Sequence, residues 1–87
     1  MRYYVYIIYS KLTKKSYTGI TSNIDRRLTE HNRNHGSAKW TQTTSDFDLV
    51  FCTEINDRLS ARLIEIYLKS GIGREFKKTL ILKYLDL

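Results

Sequence analysis

Five residues of this sequence have side chains suited to work at a phosphate if the fold gathers them: Tyr6, Tyr17, Arg27, His31 and Glu65. A hairpin that sets Ser10 against Lys15 also sets Ile8 against Tyr17, and Tyr6 then lies diagonal to Tyr17 on the same face. Diagonal neighbours of this kind are about 7–8 Å apart, within reach of aromatic side chains. Two phenols on one face can accept a proton and donate a hydrogen bond at a phosphate. Aromatic packing is the plainer account of the pair taken alone. On the first predicted helix, Ile24 and Leu28 define an inward stripe. His31 falls beside them, Arg27 flanks them, and Arg26, Glu30 and Arg33 turn to solvent. Arg27 has room to present a bidentate fork to a phosphate. His31, one turn further on, ordinarily titrates near neutrality. The alternative is a snorkelling arginine and a satisfied histidine at the core edge.

Glu65 falls on the narrow polar face of a second helix with Arg58, Arg62 and Lys69. Ion pairs at i,i+3 and i,i+4 with Arg62 and Lys69 explain it simply, each contributing at most about 0.5 kcal/mol when exposed. A lone carboxylate can instead hold Mg²⁺, which takes one or two protein oxygens and keeps its waters. Trp40, beside Lys39 in a polar stretch, either anchors its loop or stacks on a base. Cys52 reads as a small core hydrophobe in a strand. There is no zinc spacing of Cys and His, no Walker loop and no nucleophile elbow.

The elements that must position these groups follow from pattern. Residues 3–9, aromatic and β-branched throughout, predict a strand buried on both faces. Residues 11–14 form a polar tip and 15–19 a shorter second strand, which together make a hairpin. Ser22, with Asp25 three residues on, predicts the start of a helix over about 23–33, ended by His35-Gly36-Ser37. Residues 38–46 read as polar and irregular. Residues 47–54 predict a third strand. Asn56 or Asp57 caps a second helix over 57–69, closed by Gly71 and Gly73, and a last helix covers about 73–84. On this second helix Leu59, Ala61, Leu63, Ile64, Ile66, Tyr67 and Leu68 form a wide apolar arc. The order β-β-α-β-α-α makes an α+β domain with a small three-stranded antiparallel sheet flanked by helices, read as a single domain over residues 1–87.

Composition bounds the function. The 87 residues are 41% hydrophobic and 28% charged, with no proline, which excludes a low-complexity or disordered chain. A chain this short buries only about 60–65% of the surface its unfolded form exposes, so its core must be economical. Fifteen Lys and Arg against nine Asp and Glu give a net charge of +6, which favours polyanionic partners. One cysteine permits no internal disulfide and fits a reducing compartment. No signal peptide and no apolar run of membrane-spanning length is present, so the expectation is a cytoplasmic protein with no membrane partner.

The joint order of these motifs says more than any one of them. Tyr4-Val5-Tyr6-Ile7, Tyr17-Thr18-Gly19-Ile20-Thr21, Asp25-Arg26-Arg27-Leu28 with His31-Asn32, and Tyr67-Leu68-Lys69-Ser70-Gly71-Ile72-Gly73-Arg74-Glu75-Phe76 with Glu65 before it resemble the GIY-YIG nuclease superfamily. The likeness covers about residues 2–80 and is nearest to the stand-alone, single-domain bacterial group; it is also similar to the N-terminal nuclease domain of the bacterial repair excinuclease. The resemblance implies that Tyr6 and Tyr17 are the motif tyrosines and that Gly19 lets backbone approach the site. It implies that Arg27 contacts the scissile phosphate, that His31 stands where relatives carry His or Tyr, and that Glu65 is the single metal-binding carboxylate. Arg26, Lys39, Trp40, Arg62 and Lys69 are expected to contact nucleic acid around it. Tyr4 stands where the first motif has glycine, Val5 and Thr18 stand for isoleucines, and the stretch 42–45 lacks the basic residues expected there.

The implied activity is endonucleolytic hydrolysis of DNA phosphodiesters with one Mg²⁺ or Mn²⁺, in DNA repair or processing. The alternative is a nucleic-acid-binding module with little or no catalysis. Tyr6, Tyr17 and His31 all remain open as the base. DNA is the expected partner, and the protein is expected to be a monomer or weak dimer.

Overall fold

A computed structural model describes residues 2–33 and 45–86. The elements follow the expected order: β1 (Tyr3–Ser10), β2 (Lys15–Thr21), α1 (Ile24–Asn32), β3 (Phe47–Ile55), α2 (Arg58–Lys69) and α3 (Gly71–Tyr84). The strands form one antiparallel sheet in the order β2-β1-β3. The aromatic and β-branched β1 is therefore central, and every residue from Val5 to Ser10 is buried.

The hairpin takes the anticipated register, with Ser10 opposite Lys15, Ile8 opposite Tyr17 and Tyr6 opposite Gly19. Its tip is tied down by carboxylate bonds. Ser10 Oγ donates to Asp46 Oδ1 at 2.5 Å and the Leu12 N–H donates to Asp46 Oδ2 at 3.1 Å. β2 runs two residues further than expected, to Thr21, because its pairing with β1 continues to Tyr4.

Strand alternation divides the core. On one face Val5 and Ile7 pack with Ala61 and Leu68, joined by Ile20, Phe51, Ile64 and Leu80. On the other, Tyr6, Ile8 and Phe47 pack with Tyr17, Ile24 and Leu28. Thus α2 and α3 cover one side of the sheet and α1 the other.

Local chemistry moves several boundaries. Asn23, not Ser22, caps α1: its side chain accepts from the Arg26 N–H at 3.0 Å, and the helix opens at Ile24. Asp57 caps α2 through the Ser60 N–H. The α2–α3 junction corrects the expectation that two glycines close α2. Ser70 ends that helix and caps α3, its hydroxyl accepting from the Gly73 N–H at 3.2 Å. A Cβ on Gly73 would lie 2.0 Å from the Tyr67 carbonyl oxygen, so glycine there permits the tight corner.

Only part of the apolar arc of α2 is buried. Ala61, Glu65 and Leu68 are its buried residues. Leu59 is 71% and Leu63 59% exposed, and Ile66 and Tyr67 are also exposed. The helix is rotated so that its carboxylate, not its leucine ridge, meets the sheet edge. Cys52 is exposed, contrary to its reading as a core residue. The expected helix stop at 35–37 and most of the polar stretch after it, including Lys39 and Trp40, lie outside the described residues.

Candidate active site

Because β2 is the sheet's edge strand, groups from both faces can meet along it. Tyr6 and Tyr17 project toward α1, their ring centroids 6.3 Å apart. From α1, Arg27 reaches the same place with its side chain only 19% exposed. From the opposite side, α2 brings Glu65 around the strand. Tyr6, Tyr17, Gly19, Ile20, Arg27, Arg58, Arg62 and Glu65 line one cleft of about 320 Å³.

Gly19 makes the closeness possible. A Cβ there would lie 2.6 Å from the Tyr6 hydroxyl and 3.0 Å from the Tyr17 ring. A residue without a side chain lets both phenols fold over the strand.

Behind the tyrosines sits His31, fully buried and 3.0 Å from the Tyr6 hydroxyl through Nε2. Its ring lies 4.8 Å from that of Tyr17. Burial, then the nearby Arg27 cation, lowers the His31 pKa to about 4, so at pH 7 the ring is neutral. It does not titrate near neutrality, as an exposed histidine would. The Arg27 guanidinium lies beside both phenols, and its Nη1 donates to Glu30 Oε1 at 3.4 Å. In the neutral tautomer that carries its proton on Nδ1, His31 Nε2 accepts from the Tyr6 O–H. Burial outweighs the Arg27 cation at Tyr6 and pushes that phenol up to about 12. Tyr6 therefore holds its proton at neutral pH in this state.

The position of α1 depends on a residue that has no chemistry of its own. Asn32 Nδ2 donates to the Phe47 carbonyl at 3.0 Å, and the Phe47 N–H donates to Asn32 Oδ1 at 2.7 Å. This paired bond clips the end of α1 to the start of β3 and holds His31 next to Tyr6. Asn32 stood inside the motif that carried the family resemblance, but its partner lies fifteen residues on and no local spacing points to it.

Glu65 is 8% exposed, whereas the sequence placed it on a solvated polar face. Its two oxygens take the ion pairs that spacing anticipated, Oε1 with Arg62 and Oε2 with Lys69 at 3.2 Å. Arg62 lines the cleft. Arg26 lies in an adjoining depression with Arg27, Glu30 and Arg58, and Lys69 lines a depression on the far side of Tyr17. The cleft thus carries Arg27, Arg58 and Arg62 against the single carboxylate Glu65. No group of three or more His, Cys, Asp or Glu suited to a metal occurs among the described residues.

These residues come from four elements, β1, β2, α1 and α2, and the sequence profile of the GIY-YIG catalytic domain matches residues 2–78, the span that holds all of them. The chain belongs to the GIY-YIG family. Its relatives are UPF0213 proteins. It is 38% identical to one from Desulfotalea psychrophila over 65 residues, covering 75% of this chain and 58% of that protein. It is 39% identical to one from Orgyia pseudotsugata multicapsid polyhedrosis virus, covering 75% and 62%. The chain therefore spans about three-fifths of the length of these two relatives. A UPF0213 protein of Natronomonas pharaonis is 33% identical over 79 residues, covering 91% of this chain and 89% of that protein. The solution NMR structure of a UPF0213 protein from Bacillus halodurans shares the fold, with a TM-score of 0.55 and 33% identity over 92% of this chain and 85% of that one. Membership places this chain in a nuclease-like family.

Proposed function

We propose that this GIY-YIG chain, residues 1–87 acting as one domain, is a divalent-metal-dependent endonuclease that hydrolyses DNA phosphodiesters in repair or processing. One observation carries the reading: Tyr6, Tyr17, Arg27 and Glu65, far apart in sequence, line a single cleft. A cleft with more guanidinium than carboxylate attracts a phosphodiester. Arg27 binds the phosphoryl oxygens and stabilises the charge that develops on them. The half-buried Tyr17, at the cleft wall, orients the attacking water. Tyr6, pinned between Arg27 and His31, keeps its proton and serves as a hydrogen-bonding group beside it. His31 sets the orientation of Tyr6 and remains neutral.

Glu65 fits a Mg²⁺ or Mn²⁺ ion that draws most of its remaining oxygens from water and phosphate. Such an ion, when bound, polarises the phosphate and neutralises the leaving oxygen. The surrounding cations disfavour a divalent ion on the free protein, so tight metal binding requires the DNA. Arg26, Arg62 and Lys69, with Lys39 and Trp40 from the stretch outside the described residues, contact the DNA around the cleft.

The nicking assay that tests this uses plasmid, branched and flap DNA with Mg²⁺ or Mn²⁺. Glu65→Ala and Arg27→Ala should each lose about a hundredfold or more of the wild-type rate. Equal rates in all three proteins would place the chemistry elsewhere. A second reading, a nucleic-acid-binding module without catalysis, draws on one observation: both Glu65 oxygens are already held by Arg62 and Lys69. It predicts binding to all these DNAs and cleavage of none.

A further inference from the structure

The cleft does not end at Glu65. Beyond Tyr17 lies a second depression of about 350 Å³, lined by Ser16, Tyr17, Thr18, Lys69, Arg74 and Lys77. Tyr17 is the wall shared with the first cleft, and Lys69 reaches back to Glu65. The two depressions are thus consecutive along the β2 edge.

The second depression holds three cations and no carboxylate among its lining residues. Arg74 and Lys77 are one turn apart on α3, so they share a face. Neither makes an ion pair among the described residues. Lys77 is half-buried, and its Nζ donates to Thr18 Oγ1 at 3.4 Å. Thr18 is itself 3% exposed, so this hydroxyl is a fixed partner and not a solvated one. Burial, with Arg74 and Lys69 beside it, holds the Lys77 ammonium below its ordinary pKa. Lys69 has Glu65 as its counter-charge, whereas Arg74 and Lys77 crowd beside it without one among the described residues, and an anion seated between them relieves that repulsion. Thr18 is also where this sequence departs from the isoleucine of the second motif. A hydroxyl there gives Lys77 a fixed donor direction that an aliphatic side chain cannot.

Resting on the reading of the first cleft as a phosphodiester site, we propose that this depression is a second phosphate subsite for the same nucleic-acid strand. Arg74 and Lys77 are its principal cations, and Thr18 positions Lys77. Its occupant is a neighbouring backbone phosphate, held so that the bond to be cut lies against Arg27 and Glu65. The subsite contributes affinity and register and takes no part in bond cleavage.

Two readouts separate this subsite from the cleft. Anisotropy of a short fluorescein-labelled DNA duplex, with Ca²⁺ in place of Mg²⁺ and a NaCl series, reads binding; single-turnover cleavage at saturating DNA reads chemistry. Arg74→Ala and Lys77→Ala should each weaken binding about tenfold and lower the slope of log Kd against log salt by about one. Their single-turnover rates at saturating DNA should fall far less than those of Arg27→Ala and Glu65→Ala. Lys83→Ala, exposed at the far end of α3, controls for a general loss of charge and should change binding far less. Arg74 is exposed, so its variant remains informative if Lys77→Ala destabilises the fold. If Arg74→Ala and Lys77→Ala bind as Lys83→Ala does, the subsite is refuted while the cleft reading stands. The subsite is also refuted if these residues govern binding to phosphatidylserine vesicles but not to DNA. If the wild type binds no DNA at any salt, both readings fall.

Discussion

A neutral histidine between two tyrosines is the residue that most constrains how this site responds to pH. His31 is lowered from its ordinary value to about 4 by burial and by Arg27. In the unfolded chain it titrates near 6.5. Its contribution to stability is therefore fully present above about pH 6.5 and is lost as pH falls from there toward 4, because only the unfolded state takes up the proton. Urea unfolding at pH 7.5 and 4.5 should show the wild type losing about 2–3 kcal/mol more than His31→Gln. Equal losses would mean that His31 is not held neutral. Gly19 is the other constrained position, with a Cβ placed 2.6 Å from the Tyr6 hydroxyl. Gly19→Ala must push Tyr6 aside, and should cost about 1–3 kcal/mol of stability along with most of the nicking activity. A variant as stable and active as wild type would show that Tyr6 is not fixed where the cleft requires.

At the scale of elements, the hairpin was legible because alternation and register are local properties. Ser10 opposite Lys15 follows from the turn, and it places Tyr6 diagonal to Tyr17. The N-cap of α2 and the order of strands and helices were legible for the same reason. The rotation of α2 was not. Its sequence offers a broad apolar arc, and which part meets the sheet depends on what α3 and β2 leave open. The structure buries Ala61 and Leu68 with Glu65 between them and leaves Leu59, Leu63 and Ile66 outside. Reading Glu65 as surface was the consequence, and only tertiary packing turns that position into a cleft wall. The difference is measurable: Leu68→Ala should cost about 2–5 kcal/mol as a core truncation, whereas Leu63→Ala should stay within about 0.5 kcal/mol of wild type. The reverse ranking in thermal or denaturant unfolding would show that α2 packs by its leucine ridge after all. Asn32 illustrates the same limit, since its bond to Phe47 joins α1 to β3 across residues no periodicity connects.

For the molecule as a whole, a net charge of +6 becomes meaningful through its placement. Arg26, Arg58, Arg62, Lys69, Arg74 and Lys77 line successive depressions along one sheet edge, with the cleft in the middle. Tyr6 and Tyr17 build the cleft wall; on the proposed reading, cleavage turns on Arg27 and Glu65. No helix among the described residues is long and apolar enough to cross a membrane. Hydrolysis of phosphodiesters through Glu65, as proposed, is tested most directly by the single-turnover nicking rate of Glu65→Gln beside its affinity for the same DNA. Glutamine keeps the size of the side chain and removes the charge. The rate should fall by about a hundredfold or more with DNA affinity equal to or above wild type, since one repelling charge is gone. A Glu65→Gln protein that binds and nicks DNA as the wild type does would contradict this role of Glu65.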